Sequence, residues 1–313
     1  MEDINTKGDA KMAQQKTMSL IEFMERFGTE ELCRQHLYNM RWPKGFVCPK
    51  CGVVDEPFNI KSRNLYQCKH CNHQASVTAG TIMDKTKTSL YKWFLGIYLM
   101  SQDKRGCSAK RLQRELGIAY DTAWTMSHKI RKAMGEKDAA YLLGGTIDMD
   151  EAFFGAARVG SKRGRGTEKT AIVFGVSMNK TGKPGFIKAK VVKTVDSVTV
   201  SDFAKEYITA GSRIRSDGLN IYRILSNDGY EHEAKVFDPI GSPEHLKVLH
   251  IIISNAKAFI NGTYHGLGNT HLQAFIDEFC YRFNRRFWES QLFNRTLNAC
   301  VGAVPFLRYE LIR

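Results

Sequence analysis

Two cysteine pairs, "CPKC" at Cys48 to Cys51 and "CKHC" at Cys68 to Cys71, constrain this chain more than any other feature. Sixteen residues separate Cys51 from Cys68, a spacing that reads as a four-thiolate metal site. Each pair places two sulfurs on one tight turn, and a hairpin joining the turns offers zinc a closed tetrahedron. Disulfides are the alternative, but they need an oxidising compartment. The segment "MEDINTKGDAKMAQQKT" lacks the apolar core of a secretion signal. Structural Zn2+ on Cys48, Cys51, Cys68 and Cys71 and a cytoplasmic location are therefore expected. Cys33, Cys107, Cys280 and Cys300 stand singly and read as small core residues.

Lysine and arginine number 46 against 32 aspartates and glutamates, a net charge of +14. Such an excess favours polyanionic partners through counterion release and steering, double-stranded DNA foremost. The longest apolar run, "WFLGIYLM" from Trp93, is too short to cross a bilayer, so no membrane partner is expected. With 313 residues the chain has room for two or three domains.

The composition divides the chain into residues 1–17, polar and expected to be disordered; 18–82, a helical lead-in and the zinc ribbon; 83–140, helical; and 141–313, an α/β domain. Within the third segment, "CSAKRLQRELGIAYDTAWTMSHKIRKAM" reads as a helix-turn-helix. Ser108 caps its first helix, Gly117 makes the turn, and Asp121 or Thr122 opens the second helix. Lys110, Arg111, Arg114, Lys129, Arg131 and Lys132 are expected on its outside. Tyr120, Thr122, Ala123 and Met126, early in the second helix, are candidates for base edges. A hairpin packed into the core with a solvated basic face is the alternative.

Beyond Gly144 the pattern changes to strands and helices. "GTIDMDEAFFG" alternates so that Asp148 and Asp150 share a strand face. "TAIVFGVSM" and "GFIKAKVV" supply two more strands, "SRIRSDG" a fourth and "HEAKVF" a fifth, with helices over 197–208, from Leu219, and over about 246–260 and 270–288. A mixed five-stranded sheet with helices results. Asp217 ends the fourth strand before Gly218. It reads alone as a helix cap, but together with Asp150 it offers two carboxylates at neighbouring strand ends. Such a pair suits divalent cations in phosphoryl chemistry.

The order of ribbon, helix-turn-helix, "IDMDEAFFG", "SDG" with Tyr222, "HIIISNAKAFINGTYHGL" and "HLQAFIDEFCYRFNRR" resembles the DDE transposases of bacterial insertion sequences. The similarity is to the ISXO2-like branch, with its amino-terminal zinc ribbon and ribonuclease-H-like catalytic domain, and it covers the chain from about Ser19 onward. The resemblance implies an α/β ribonuclease-H-like core and an enzyme that binds terminal inverted repeats. It also implies Mg2+ or Mn2+ at the catalytic site, end cleavage, strand transfer, and a homodimer or higher oligomer in the synaptic complex. It places the first catalytic aspartate on Asp150, beside Glu151, and the second on Asp217. The third member departs from the pattern. Where relatives carry a glutamate seven residues before a helical lysine, counting back from Lys257 reaches His250, and Asn255 is the other candidate. Both can coordinate a metal, and neither brings a negative charge.

Lys257 is then expected near the active site, and Arg282, Arg285 and Arg286 on phosphate. An intrahelical pair with Glu278 competes for Arg282. "GSKRGRGTEK", with Lys162, Arg163, Arg165 and Lys169, reads as a phosphate-gripping loop, and "GTYHG" as a loop for close backbone approach to DNA. The missing third carboxylate leaves two other functions open: an inactive transposase-derived DNA-binding regulator, and a metal-dependent nuclease or resolvase on the same core.

Overall fold

The computed structural model describes residues 17–155, 169–236, 245–264, 267–307 and 310–311. The expected disordered N-terminus (all but Thr17), the basic stretch with Lys162, Arg163 and Arg165, Phe237 at the end of the expected fifth strand, and His265 and Gly266 of the "GTYHG" loop lie outside them. Among the described residues no helix is long and apolar enough to cross a membrane.

The chain begins with α1 (Leu20–Phe27) and α2 (Glu30–Arg41). Ser19 and Glu22 cap α1 reciprocally, and Thr29 caps α2, which satisfies amide groups that a helix start leaves without partners. Three short antiparallel strands follow, β1 (Phe58–Ile60), β2 (Leu65–Gln67) and β3 (Gln74–Ala75). Next come α3 (Leu90–Gln102), α4 (Ala109–Leu116) and α5 (Tyr120–Ala139). Ser108 caps α4, and Gly117 closes it at φ 56°, the left-handed conformation glycine adopts without strain.

The second half is built on β4 (Thr146–Phe154), β5 (Thr170–Met178), β6 (Pro184–Val192), α6 (Ser197–Tyr207), β7 (Arg213–Ser216), the short α7 (Ile224–Asn227) and β8 (Glu231–Ala234). Three helices complete it: α8 (Lys247–Thr263), α9 (Leu272–Asn284) and α10 (Leu292–Gly302). The strand order is β6-β5-β4-β7-β8. β4, β5 and β6 are antiparallel neighbours, whereas β7 runs parallel to β4 and β8 parallel to β7. Three antiparallel strands continued by two parallel ones, with helices on both faces, make the ribonuclease-H-like fold expected from the sequence. Ile172, Val173, Phe174 and Val176 of β5 are fully buried because both faces are covered. Ile172 and Phe174 pack toward α8 and α9, and Val173 packs toward α6.

Two differences from the sequence reading matter for the site. The last expected helix stops at Asn284, and Trp288 (φ −126°, ψ 41°) marks a kink before α10, which the sequence reading did not identify. Second, α10 does not join the sheet. Leu292, Phe293, Leu297 and Cys300 pack with Phe23, Phe94 and Ile130 of the N-terminal helices. The boundary drawn at 141 therefore divides the sequence but not the packing.

Candidate active site and nucleic-acid interface

The cysteine pairs form two matching turns. In the first, the Gly52 N–H donates to the Cys48 carbonyl; in the second, the Asn72 N–H donates to the Cys68 carbonyl. Gly52 (φ 73°) and Asn72 (φ 56°) both take the left-handed conformation, which turns each chain back beneath its sulfurs. The ligand atoms of Cys48, Cys51, Cys68 and Cys71 lie within 4.8 Å of one another. Four thiols converging from two knuckles fit a closed tetrahedral zinc site. Behind it, Trp42 packs T-shaped on Tyr38 and Tyr66, which tilt against each other, fixing the ribbon to α2. Cys33, Cys107, Cys280 and Cys300 are buried singly, as expected.

The carboxylates gather at one end of the sheet. β4 and β7 pair in parallel with Asp148 opposite Arg215; Asp217 follows Ser216, the last residue of β7, and the fields of both Asp150 and Asp217 reach His250 and Tyr222. Asp148 is buried, and Arg215 Nε donates to its Oδ1 at 2.6 Å. Burial raises the Asp148 carboxyl and the guanidinium opposes the rise, so this acid is held in a structural ion pair. Asp150 instead faces α8, where His250 Nε2 lies 3.1 Å from Asp150 Oδ2. The Asp150 carboxylate raises the His250 pKa against the effect of burial, and the fields of Asp148 and Asp217 add to it. Glu151 points to the other face, where the buried Tyr222 hydroxyl donates to its Oε2 at 2.7 Å. Burial, then Glu151, pushes the Tyr222 phenol well above its ordinary value, so it stays a donor. Asp217 Oδ1 accepts from the Leu219 N–H at 3.1 Å, a local turn rather than the expected helix cap, since the helical turn that follows starts from Leu219 with no side-chain cap.

Helix geometry separates the two candidates for the third position. At 100° per residue, Lys257 lies on the His250 face of α8, and its Nζ stands 5.8 Å from the ring centre of Phe154. Asn255 lies about 140° around the helix from His250 and lines a different cavity with Phe259 and Arg282. Of the two, His250 is the residue brought to Asp150.

The basic residues divide by burial. Lys110 and Arg114 are exposed, Tyr120 is 47% exposed and Thr122 is half-buried. Arg111 pairs with Asp103 at 3.1 Å. Four expectations for this helix pair need correction. Arg131 is buried, with Nε 2.7 Å from Glu278 Oε2 and its guanidinium 4.0 Å over the Phe275 ring; it belongs to the core. Ala123 and Met126 are buried as well, and the Lys129 ammonium donates to the Ile82 carbonyl at 3.1 Å. The cause is common to all four: the middle of α5 is flanked by α4, α9 and α10, leaving its two ends, Tyr120–Asp121 and Glu136–Lys137, for solvent.

The carboxy-terminal arginines are also largely engaged. Arg282 donates through Nε and Nη2 to Glu278 Oε1 at 3.0 and 2.9 Å. Arg285 is buried on Asp138 at 2.7 Å. Arg286 donates to the carbonyls of Gly185 and Phe283. The expectation that Arg285 meets phosphate is thus corrected; a buried ion pair holds it. The sequence reading missed the Asp148–Arg215 and Arg131–Glu278 pairs. A signal for the first existed, since Arg215 is two residues from Asp217 on the same strand; none existed for the second.

Residues 142–284 match the model of the ISXO2-like transposase domain, and residues 28–74 match the transposase zinc-ribbon domain. A protein described as uncharacterized in the transposable element ISH50 of Halobacterium salinarum is 25% identical over 222 residues, 66% of this chain and 73% of that protein. Among solved structures, the Mos1 mariner paired end complex with Mn is similar at TM-score 0.26 and 12% identity, over 63% of this chain and 74% of that one. A pre-cleavage Mos1 transpososome is similar at TM-score 0.23 and 12% identity, over 68% and 79%. Likeness at that level carries no argument; the fold is read from the strand order.

Proposed function

As one of the ISXO2-like transposases that carry a zinc ribbon ahead of the transposase domain, this chain, we propose, binds the terminal inverted repeats of an insertion sequence. It then cleaves the element's ends and joins them to target DNA. The reading is carried by three chain segments at one sheet end: β4 with Asp150, β7 leading to Asp217 in parallel register, and α8 with His250 at 3.1 Å from Asp150.

Carboxylate oxygens on adjacent strands are donors suited to Mg2+ or Mn2+, so Asp150 and Asp217 would hold the cations and His250 would complete the set. A divalent cation there supplies Lewis-acid stabilisation of the charge that develops on the phosphoryl oxygens. The protein's own groups do the rest. Until a cation takes the place of its proton, His250 fixes the Asp150 carboxylate, and Tyr222 fixes Glu151; as a metal ligand His250 is neutral. Lys257, seven residues beyond His250 on the same helix face, offers a point charge to a phosphate oxygen. Water attacks the phosphodiester at the transposon end. The freed 3′ hydroxyl then attacks target DNA directly, without a covalent bond between protein and DNA.

The ribbon, Lys110, Arg114 and the exposed start of α5 at Tyr120 and Thr122 contact the end DNA. Two ends have to be held together, so the chain acts as a homodimer or larger assembly, in the cytoplasm on the nucleoid. Incubation with end-containing DNA and Mg2+ tests this reading. Joined products support it, cleavage without joining identifies a nuclease or resolvase, and binding alone identifies a regulator.

A further inference from the structure

A cavity of about 950 Å³ opens beside α3 and α9, on the Asn255 face of α8. It falls in the range that encloses small organic ligands, about 300–1,000 Å³. Its charge is unbalanced. Asp103 is shared by Arg105 and Arg111, and Glu278 is shared by Arg282 and the buried Arg131. Arg286 donates to main-chain carbonyls, which leave its charge intact. Each of those two carboxylates therefore faces two guanidinium groups; Glu289 is a second acid on the lining beside Asp103, but Lys104 and the arginines outnumber the two, and the wall is positive. Phe259, Phe279 and Phe283 also line the cavity; the Arg286 guanidinium lies 4.1 Å over the Phe283 ring, so a flat ligand meets the rings at a point where a cation already sits. A simple anion would use only the cations, and an apolar molecule only the rings.

We infer that this cavity binds a single nucleotide unit, phosphate on the arginines and base against the phenylalanines. Base–aromatic stacking and Arg–phosphate pairing are the interactions that hold unpaired nucleotides. The unit comes either from an unpaired position of the DNA strand or from a free nucleoside monophosphate. The first source is geometrically open. Asn255 in the cavity lies five residues from His250, about 7.5 Å along the helix axis and about 140° around it, so a strand reaches the cavity by passing around α8. The inference rests on the DNA-joining reading for its strand source, but not for its chemistry.

The test uses the full chain and three probes: a duplex with one bulged 2-aminopurine, the same duplex fully paired, and free 2-aminopurine deoxynucleoside monophosphate. Phe283→Leu and Arg105→Gln are the variants; Phe283 is half-buried and the Arg105 side chain is 79% exposed, so both are expected to fold. The expected result is about tenfold tighter binding of the bulged than of the paired duplex, with a fluorescence change. Both variants should erase the preference without altering affinity for the paired duplex. Saturable binding of the free monophosphate that both variants weaken identifies the free source instead and supports the same site. Equal affinity for bulged and paired duplexes with no binding of the monophosphate overturns the inference, as does a preference that neither variant changes. Should the wild-type chain fail to bind or cleave any duplex, the transposase reading fails, and the monophosphate arm still decides on the cavity.

Discussion

His250 and Asp150 meet at 3.1 Å across the gap between α8 and β4, although 100 positions separate them in the chain. Their contact has a definite pH signature. Asp150 raises the His250 pKa above its ordinary value of 6.5. For a raised cation, the stabilisation is complete below the unfolded value and is lost as pH rises through the folded one. The charged pair should therefore be fully present below about pH 6.5 and fade above it. Histidine proton shifts followed by NMR should show His250 titrating above 6.5 in metal-free protein, and Asp150→Asn should bring it down. An unchanged titration in the variant would break the link.

The core pair makes a prediction of opposite kind. Glu278 is fully buried between Arg131 and Arg282, and the Arg131 Nη2 also donates to the Cys107 carbonyl at 3.1 Å. Removing one partner of a buried pair costs about 3–5 kcal/mol when the other charge is left uncompensated; here Arg282 still pairs with Glu278, which places the cost toward the lower end. Arg131→Ala should lower the free energy of unfolding by that order, read as a lower denaturant midpoint at unchanged m-value. The slope of DNA affinity against salt should stay the same, since no phosphate contact is lost. A shallower slope in a variant that remains folded would return Arg131 to the DNA surface.

Legibility followed the locality of the signal. The ribbon was legible because four thiols within 24 residues can meet by a single hairpin. The strands were legible because β4, β5 and β6 are long and apolar, and Asp217 before Gly218 marks where β7 must end. Charge was the poorest guide. Arg131 and Arg285 look like surface lysines and arginines in the sequence, yet their carboxylates, Glu278 and Asp138, lie 147 residues away in each case. Only the packing of α5 on α9 decides that. The choice between His250 and Asn255 was closed to sequence for a related reason, since both precede Lys257 on one helix and only the way α8 sits on β4 selects a face.

Zinc should be structural and confined to the ribbon. Metal analysis should give one zinc per chain, unchanged by Cys33→Ala. Cys68→Ser should lose it and weaken DNA binding while the ribonuclease-H-like sheet stays folded, because the ribbon's hairpin lies apart from that sheet. Structural zinc binding in ribbons and fingers is worth about 10–16 kcal/mol, so the local loss should be complete. A Cys68→Ser protein that retains a full zinc would move the site elsewhere.

At the helix pair, Lys110 and Arg114 are exposed, whereas the Lys129 ammonium is tied to the Ile82 carbonyl. Lys110→Glu and Arg114→Glu should each weaken binding across sequences and reduce the salt slope by about 1. Lys129→Gln should change the slope little. Equal effects from all three would mean that the first two do not mark the interface.

Manganese binding measured by electron paramagnetic resonance, on protein carrying an end-containing duplex, addresses the shared site directly. If Asp150 and Asp217 grip the same ions, Asp150→Asn and Asp217→Asn should each remove the bound manganese, and the double variant should remove no more. If instead each substitution removes a separate ion and the losses add, or if neither removes any, the two aspartates do not form one catalytic centre.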